Sequence, residues 1–309
     1  MNSLVAEALG AWGLEGAACR LVAARENAVY EVVQGSRRLA LRVHRQGYRS
    51  DGQLQSELAW MAAVAAGGLS VPDPVPARDG ALMCRIGDTQ VDVLTWLTGD
   101  TMTDALSRGS KQRRADLFHR LGHEMARLHV ISDAWTVPDG FERPIWDRDG
   151  LLGETPLWDR FWDNPALAPA DRDLLLRFRA AAWDRLDGMQ SDFGLIHADL
   201  VPANVLVDGD DLRLIDFDDG GYGHRLFDVA TVLLKHLGAE DHAQLQEALV
   251  TGYRTVRPLE TEALDLFLAL RAATYVGWNI TRMSEQDGHA RNARFIAALR
   301  PLVERCLLS

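Results

Sequence analysis

Apolar residues recur along the first hundred positions with two different periods, and each change of period marks an element. Leu4, Val5, Ala8 and Leu9 repeat at helical spacing and predict a short opening helix ending near Gly10 or Gly13. Ala28 to Val33 and Leu39 to Val43 are β-rich runs separated by Gln34, Gly35, Ser36 and Arg37, which reads as a hairpin. From Asp51 to Ala66, the residues Leu54, Leu58, Met61 and Ala65 share one helical face. Asp51 is placed to cap the start of that helix and Gly67-Gly68 to end it. Val71 to Pro76 reads as extended, and Ala81 to Ile86 and Gln90 to Trp96 read as two more strands. A small sheet-based lobe then closes near Thr98-Gly99.

Beyond Gly99 the texture changes to long amphipathic segments, among them Gln112 to Ile131, Pro169 to Leu186, Leu226 to Leu237 and Leu259 to Asn279. Gly194 to Ile196, Val205 to Val207 and Leu212 to Ile215 interrupt them as short apolar runs, with a turn at Gly209-Asp210. The second lobe is therefore mainly helical, with a few short strands inside it. No internal repeat or low-complexity tract is visible.

Length supports two lobes, because 309 residues exceed the size at which one core usually keeps growing. Hydrophobic residues at 47% and charged residues at 25% are an ordinary globular balance. A formal charge of -11 argues against a general nucleic-acid binder, which needs excess Lys and Arg, and suits cationic or neutral partners. Cys19, Cys84 and Cys306 have no metal-ligand spacing and no disulfide framework, which fits a reducing cytoplasm. Glu7 and Glu15 break the apolar N-terminal stretch, and no later segment has eighteen uninterrupted apolar residues, so neither a signal peptide nor a membrane span is expected.

The chemistry concentrates in Leu195-Ile196-His197-Ala198-Asp199-Leu200-Val201-Pro202-Ala203-Asn204-Val205-Leu206, followed by Leu214-Ile215-Asp216-Phe217-Asp218. Phosphoryl transfer needs a carboxylate that orients the attacking hydroxyl and accepts its proton. It also needs oxygen ligands that hold magnesium against the phosphates. Asp199, Asn204 and Asp216 supply those parts, and closure of the intervening hairpin can bring Asn204 and Asp216 to one metal. The order resembles the protein-kinase catalytic loop with its downstream Asp-Phe-Gly. It resembles still more the aminoglycoside phosphotransferase and choline kinase superfamily, in the branch of type II homoserine kinases and stress-response kinase-like phosphotransferases.

That resemblance implies an α+β, two-lobed protein-kinase-like fold. A small antiparallel β-sheet lobe with one main helix spans 1–97, a hinge lies near 94–99, and a larger, mainly helical lobe spans 98–309. It makes Asp199 the catalytic base, Asn204 and Asp216 the Mg2+ ligands, and ATP the phosphoryl donor, with His197 bracing the loop. In the first lobe, strand alternation puts Ala40 and Arg42 on one face, with Ala40 toward adenine and Arg42 toward phosphate. Glu57 is the candidate partner of Arg42, a position where most kinases carry Lys. Asn27 and Ala28, within Arg25-Glu26-Asn27-Ala28-Val29-Tyr30, are assigned to phosphate. Thr95, Trp96 and Leu97 are assigned to the adenine edge, with Trp96 equally readable as a core aromatic.

The interval of about a dozen residues between Asp216 and Phe227-Asp228-Val229-Ala230 leaves little room for a protein-kinase activation segment and favours a small acceptor. Asp228 is expected to anchor the loop. Asp218, Asp219 and Tyr222 are candidates to line the acceptor pocket or to complete the metal's outer shell. Trp162 and Trp278 are further candidates, able to cradle a cationic group or simply to fill a core. His119, His123 and His129 read as packed or solvated. The leading expectation is an ATP-dependent kinase of an amino alcohol or a hydroxy amino acid such as homoserine. A stress-response Ser/Thr protein kinase and a nucleotide-binding pseudokinase remain as alternatives.

Overall fold

Gly35 and Ser36 alone turn one strand into the next: Gln34 pairs with Arg37, and the antiparallel register runs unbroken to Asn27 opposite His44. Gly35 sits at φ +60, the left-handed region that a tight hairpin requires and that glycine enters without strain. The computed structural model describes residues 3–24, 27–189 and 192–308; Arg25 and Glu26 of the expected phosphate loop lie outside the described residues.

In chain order the elements are α1 (Ser3–Ala11), β1 (Ala18–Ala24), β2 (Asn27–Gln34), β3 (Arg37–His44), α2 (Asp51–Ala66), β4 (Met83–Ile86), β5 (Thr89–Thr95), β6 (Asp100–Thr101) and α3 (Met102–Arg108). There follow α4 (Lys111–Ala134), β7 (Ile145–Trp146), α5 (Arg148–Leu152), α6 (Pro169–Asp187), β8 (Phe193–Ile196), β9 (Val205–Asp208) and β10 (Asp211–Leu214). The chain closes with β11 (Gly221–His224), α7 (Arg225–Leu234), α8 (His242–Arg254), α9 (Leu264–Trp278) and α10 (Gly288–Leu308).

These elements form two units. The first takes the chain up to Ala105, then Ala134–Arg143, then Ala203–Asp218; the second takes Leu106–Asp133, Pro144–Pro202 and the chain from Asp219 onward. In the first unit, an antiparallel sheet of order β1-β2-β3-β5-β4 carries Val32, Leu39, Leu41, Val91 and Val93 into a core shared with Val5, Leu9, Trp12 and Leu14. A smaller sheet of order β10-β9-β6 belongs to the same unit. In the second unit α5 and α7 pack against a short sheet of order β7-β11-β8, and α9 packs against α7 and α10. Among the described residues, no helix is long and apolar enough to cross a membrane.

Three local expectations need correction. Asp51 does not cap α2. Ser50 does: its hydroxyl accepts the Gln53 N–H while the Gln53 side chain accepts the Ser50 N–H, a reciprocal capping box. Asp51 instead accepts from Arg85 and Gln90. The helix expected from Leu259 begins at Leu264, because buried Leu259 lies in a loop whose carbonyl is held by the Arg254 guanidinium. Strand β1 has no counterpart in the sequence reading. It is an edge strand with almost every side chain exposed, so no buried face leaves a period-two trace.

Ser50→Ala should lower stability by about 1 kcal/mol, whereas Asp51→Asn, which keeps the Ser50–Gln53 box, should cost less than about 0.5 kcal/mol. Urea unfolding of both variants checks this, and the reverse order would reassign the cap.

Candidate active site

A buried charge is tolerated only when it is paired and hydrogen-bonded, and the first unit buries several together. Arg42 on β3 lies directly across from Asp92 on β5. Its Nε donates to Asp92 Oδ1 at 2.8 Å and its Nη2 to Asp92 Oδ2 at 3.0 Å. Its Nη1 donates to Glu57 Oε1 at 2.7 Å, so the structure brings the expected Arg42 and Glu57 together. The other Glu57 oxygen accepts from Arg143 Nη1 at 3.2 Å. Arg143 Nη2 then donates to the carbonyls of Phe217 at 2.7 Å and Asp218 at 2.8 Å. His44 Nε2 meets Asp92 Oδ2 at 2.5 Å.

Burial alone would raise the Glu57 carboxyl, yet Arg42 and Arg143 hold it below its ordinary value. Asp92 is likewise held down against burial, by Arg42 and then His44. Asp218 goes the other way: burial raises it and the Glu57 charge adds to the rise, outweighing Arg42. Its Oδ2 accepts from Asn27 Nδ2 at 3.0 Å, while its buried Oδ1 has no hydrogen-bond partner among the described residues. Sequence reasoning missed Asp92 and Arg143. Asp92 had a signal, an acidic residue inside the apolar run Val91-Asp92-Val93-Leu94; Arg143, in a loop between units of chain, had none.

Asn204 and Asp216 flank the open end of the β9–β10 hairpin. Val205 pairs with Leu214, and the Ile215 N–H donates to the Asn204 carbonyl at 3.0 Å. The expected closure of that hairpin is therefore present. Asp216 lies at φ +68, and the next residue, Phe217, is buried edge-on against Trp60 at 5.1 Å. At the end of β5, the Thr95 N–H donates to the Asp73 carbonyl at 2.9 Å and the Trp96 N–H to the Arg38 carbonyl at 3.2 Å. The Arg38 guanidinium covers the Trp96 ring at 4.6 Å. Ala40, next to Arg42 on β3, is half-buried opposite Leu94, and Leu97 follows the end of β5.

In the second unit, Asp199 follows β8 on a loop gripped by Asp228. The two Asp228 oxygens accept the N–H of His197 at 2.9 Å and of Ala198 at 2.7 Å. That grip holds Ala198 at φ +63, a strained value for a residue with a Cβ. His129 Nε2 meets Asp228 Oδ2 at 3.1 Å, and His129 Nδ1 meets the Tyr253 hydroxyl at 2.8 Å. His129, His197, Asp228 and Tyr253 are all fully buried. Asp199 itself is half-buried, and its Oδ1 accepts from Arg271 Nη2 at 2.6 Å.

Both candidate tryptophans are covered by arginines. Trp162 is 3% exposed, edge-on to Phe161 at 4.9 Å and covered by the Arg179 guanidinium at 4.0 Å. Trp278 lies 6.3 Å from Trp158, and its ring is covered by Arg282 at 4.3 Å and approached by Arg291 at 5.2 Å. These faces are occupied by the chain's own cations. The Asp219 carbonyl accepts the Trp146 indole N–H at 2.9 Å, and Tyr222 on β11 pairs with Ile145 and Leu195. A cavity of about 320 Å³ lies in this unit among Asp147, Arg148, Met189, Phe193 and His224, none of them an expected site residue.

The family model described as the phosphotransferase enzyme family, APH, matches residues 18–266. The homoserine kinase of Rhizobium etli (strain CIAT 652) is 30% identical across 73% of this chain and 67% of its own length. A solved microcompartment-associated aminopropanol kinase superposes with a TM-score of 0.84 at 31% identity, covering 99% of this chain and 97% of that one. An amicoumacin kinase solved with AMP-PNP, Ca2+ and Ami superposes at 0.75 over 93% of this chain and 88% of that one; its 22% identity speaks for the fold alone. The fold is thus α+β and protein-kinase-like, as the motif order implied.

Burial, and then the Arg225 charge, push the His129 imidazole down to about 4, with Asp228 opposing. The unfolded chain takes up this proton near the ordinary 6.5 and the folded chain only near 4, so stability should fall as pH drops through that window and level off below it. In urea midpoints measured from pH 7 to 4, His129→Gln should shrink the acid slope by up to about one proton. His224 and His236, also pushed down by burial, and carboxyls held low by their cation partners, such as Glu57 and Asp92, retain the remainder. An unchanged slope would mean His129 is not held neutral.

Proposed function

The chain belongs to the APH phosphotransferase enzyme family, and from that premise we propose that it moves the terminal phosphoryl group of ATP onto a hydroxyl of a small amino alcohol or hydroxy amino acid, with Mg2+ as the metal. The observation that carries the reading is the Asp199 loop. A carboxylate on a loop pinned by two amide-to-carboxylate bonds, with one oxygen held by Arg271, is pre-organised for a hydroxyl that must be oriented and deprotonated.

The residues suit the metal. Asn204 and Asp216 offer oxygen donors at one end of a hairpin, and the unpartnered, buried Asp218 Oδ1 is a further hard donor in the same unit. When bound, Mg2+ neutralises charge on the phosphates. In this reading Asp199 takes the acceptor hydroxyl's proton, Arg271 fixes which carboxylate oxygen is used, and Asp228 and His197 brace the loop. Arg42 directs positive charge toward the phosphates from a position set by Asp92 and Glu57, while Asn27 and Ala28 approach the phosphates from β2. Ala40 and the Thr95-Trp96-Leu97 backbone receive the adenine. Asp218, Asp219 and Tyr222 border the acceptor. Nucleotide binding falls to residues 1–97 with the hinge at 94–99, and acceptor binding to 98–309, in a cytoplasmic enzyme.

Asp199→Asn keeps an oxygen for Arg271 but cannot accept a proton. It should lower kcat by about 10²–10⁴-fold with little change in melting temperature, in assays of nucleoside diphosphate release over an amino-alcohol and hydroxy-acid panel. Turnover that survives this variant would remove Asp199 from the chemistry. Asp216→Ala should weaken ATP binding by calorimetry in the presence of Mg2+ and leave the metal-free affinity nearly unchanged; equal affinities with metal for both proteins would overturn the ligand assignment.

A further inference from the structure

A line of contacts within the second unit runs from Asp199 to an ammonium group. The Arg271 guanidinium, 0% exposed, donates from Nη2 both to Asp199 Oδ1 at 2.6 Å and to the Tyr275 hydroxyl at 3.1 Å. Its carbon lies 4.4 Å from the centre of the Tyr275 ring and 4.8 Å from that of Trp158. Lys235, the residue that ends α7, brings its Nζ to 4.5 Å from the same Tyr275 ring. One aromatic ring therefore carries two cations, and the first of them holds the proposed base.

The two cations differ in how they are satisfied. Arg271 is neutralised by Asp199 and further bonded to Tyr275 and Thr274. Among the described residues, no carboxylate pairs with Lys235. Lys235 is an exposed residue, and partial desolvation of its ammonium, and then the Arg271 charge, push its pKa below the ordinary lysine value, with the Asp199 charge opposing. A cation held beside another cation, with an aromatic face as its contact, is a receptor for an anionic group. An ammonium group brought to the same place would meet the like charge of Lys235, while Arg271 is already offset by Asp199. Burial, and then the Asp199 and Asp219 charges, push the Tyr275 hydroxyl up against the opposing pull of Arg271, so negative charge also acts on this ring.

We propose that Lys235 is a specificity-determining residue that binds the carboxylate of the acceptor. The hydroxyl presented to Asp199 then belongs to a zwitterionic hydroxy amino acid, with its ammonium turned toward Asp219, and not to a simple amino alcohol. Such an acceptor is neutral overall and meets no penalty from the chain's charge of -11. The inference rests on the proposed role of Asp199 and selects between two acceptor classes that relatives of this chain are named for.

Two matched pairs test it, each differing by one carboxylate: L-homoserine against 3-aminopropan-1-ol, and L-threonine against 1-aminopropan-2-ol. With wild-type enzyme, kcat/KM for the better carboxylated member should exceed that of its partner by about tenfold or more. In Lys235→Met that ratio should collapse toward one, through KM more than kcat, and Lys235→Arg should restore most of it. A ratio unchanged in Lys235→Met, or a wild-type preference for the decarboxylated members, overturns the proposal. Calorimetric binding of each pair runs in parallel. If no member is phosphorylated, the reading of Asp199 falls, while selective binding of the carboxylated member that disappears in Lys235→Met still upholds the role of Lys235. Equal binding by both proteins sinks it.

Discussion

Asp228 is a carboxylate with no exposure to water, and the site in the second unit exists because of how that charge is satisfied. Two backbone amides and an imidazole surround it, and its place in the first turn of α7 adds the favourable end of the helix dipole. These interactions hold the carboxyl below its ordinary value although burial pulls it upward. With Ala198 in the left-handed region both amides face one carboxylate, and Asp199 follows directly from that strained residue.

A parallel constraint governs the first unit. Three nitrogens of Arg42 engage two carboxylates in a planar fork, and the second of those carboxylates is shared with Arg143. A lysine has one nitrogen and could not hold Asp92 in two places while reaching Glu57. An arginine at this position thus has a local cause in Asp92, one strand away. Arg143 in turn ties Glu57 to the backbone that follows Asp216, so α2, the central strand β3 and the segment bearing Asp216 and Asp218 are bound through one buried set of charges.

What could be read from the sequence follows from the range of each interaction. The β2–β3 hairpin, the apolar face of α2 and the order His197, Asp199, Asn204, Asp216 are local patterns, and all were legible. The Ser50 cap was also local but lay one residue before the acidic residue that drew attention. The partners that hold the candidate residues came from far along the chain and left no local mark: Arg271 reaches Asp199 across 72 residues and Arg143 reaches Glu57 across 86. Trp162 and Trp278 were visible as aromatic candidates, but their coverage by arginines is a tertiary fact.

The triple entry of the chain into the first unit affects the order in which that unit can be finished as the protein is made. The Ser70 carbonyl waits for the Leu214 N–H, Trp60 for Phe217, and Glu57 for Arg143. A ribosome that has released only the sheet and α2 has therefore produced a scaffold in which Glu57 is held by Arg42 through one oxygen alone and the Trp60 ring has an open face. Both are closed once the polypeptide just past Phe217 has emerged, after the loop carrying Asp199 and before α7 supplies the Asp228 that grips it.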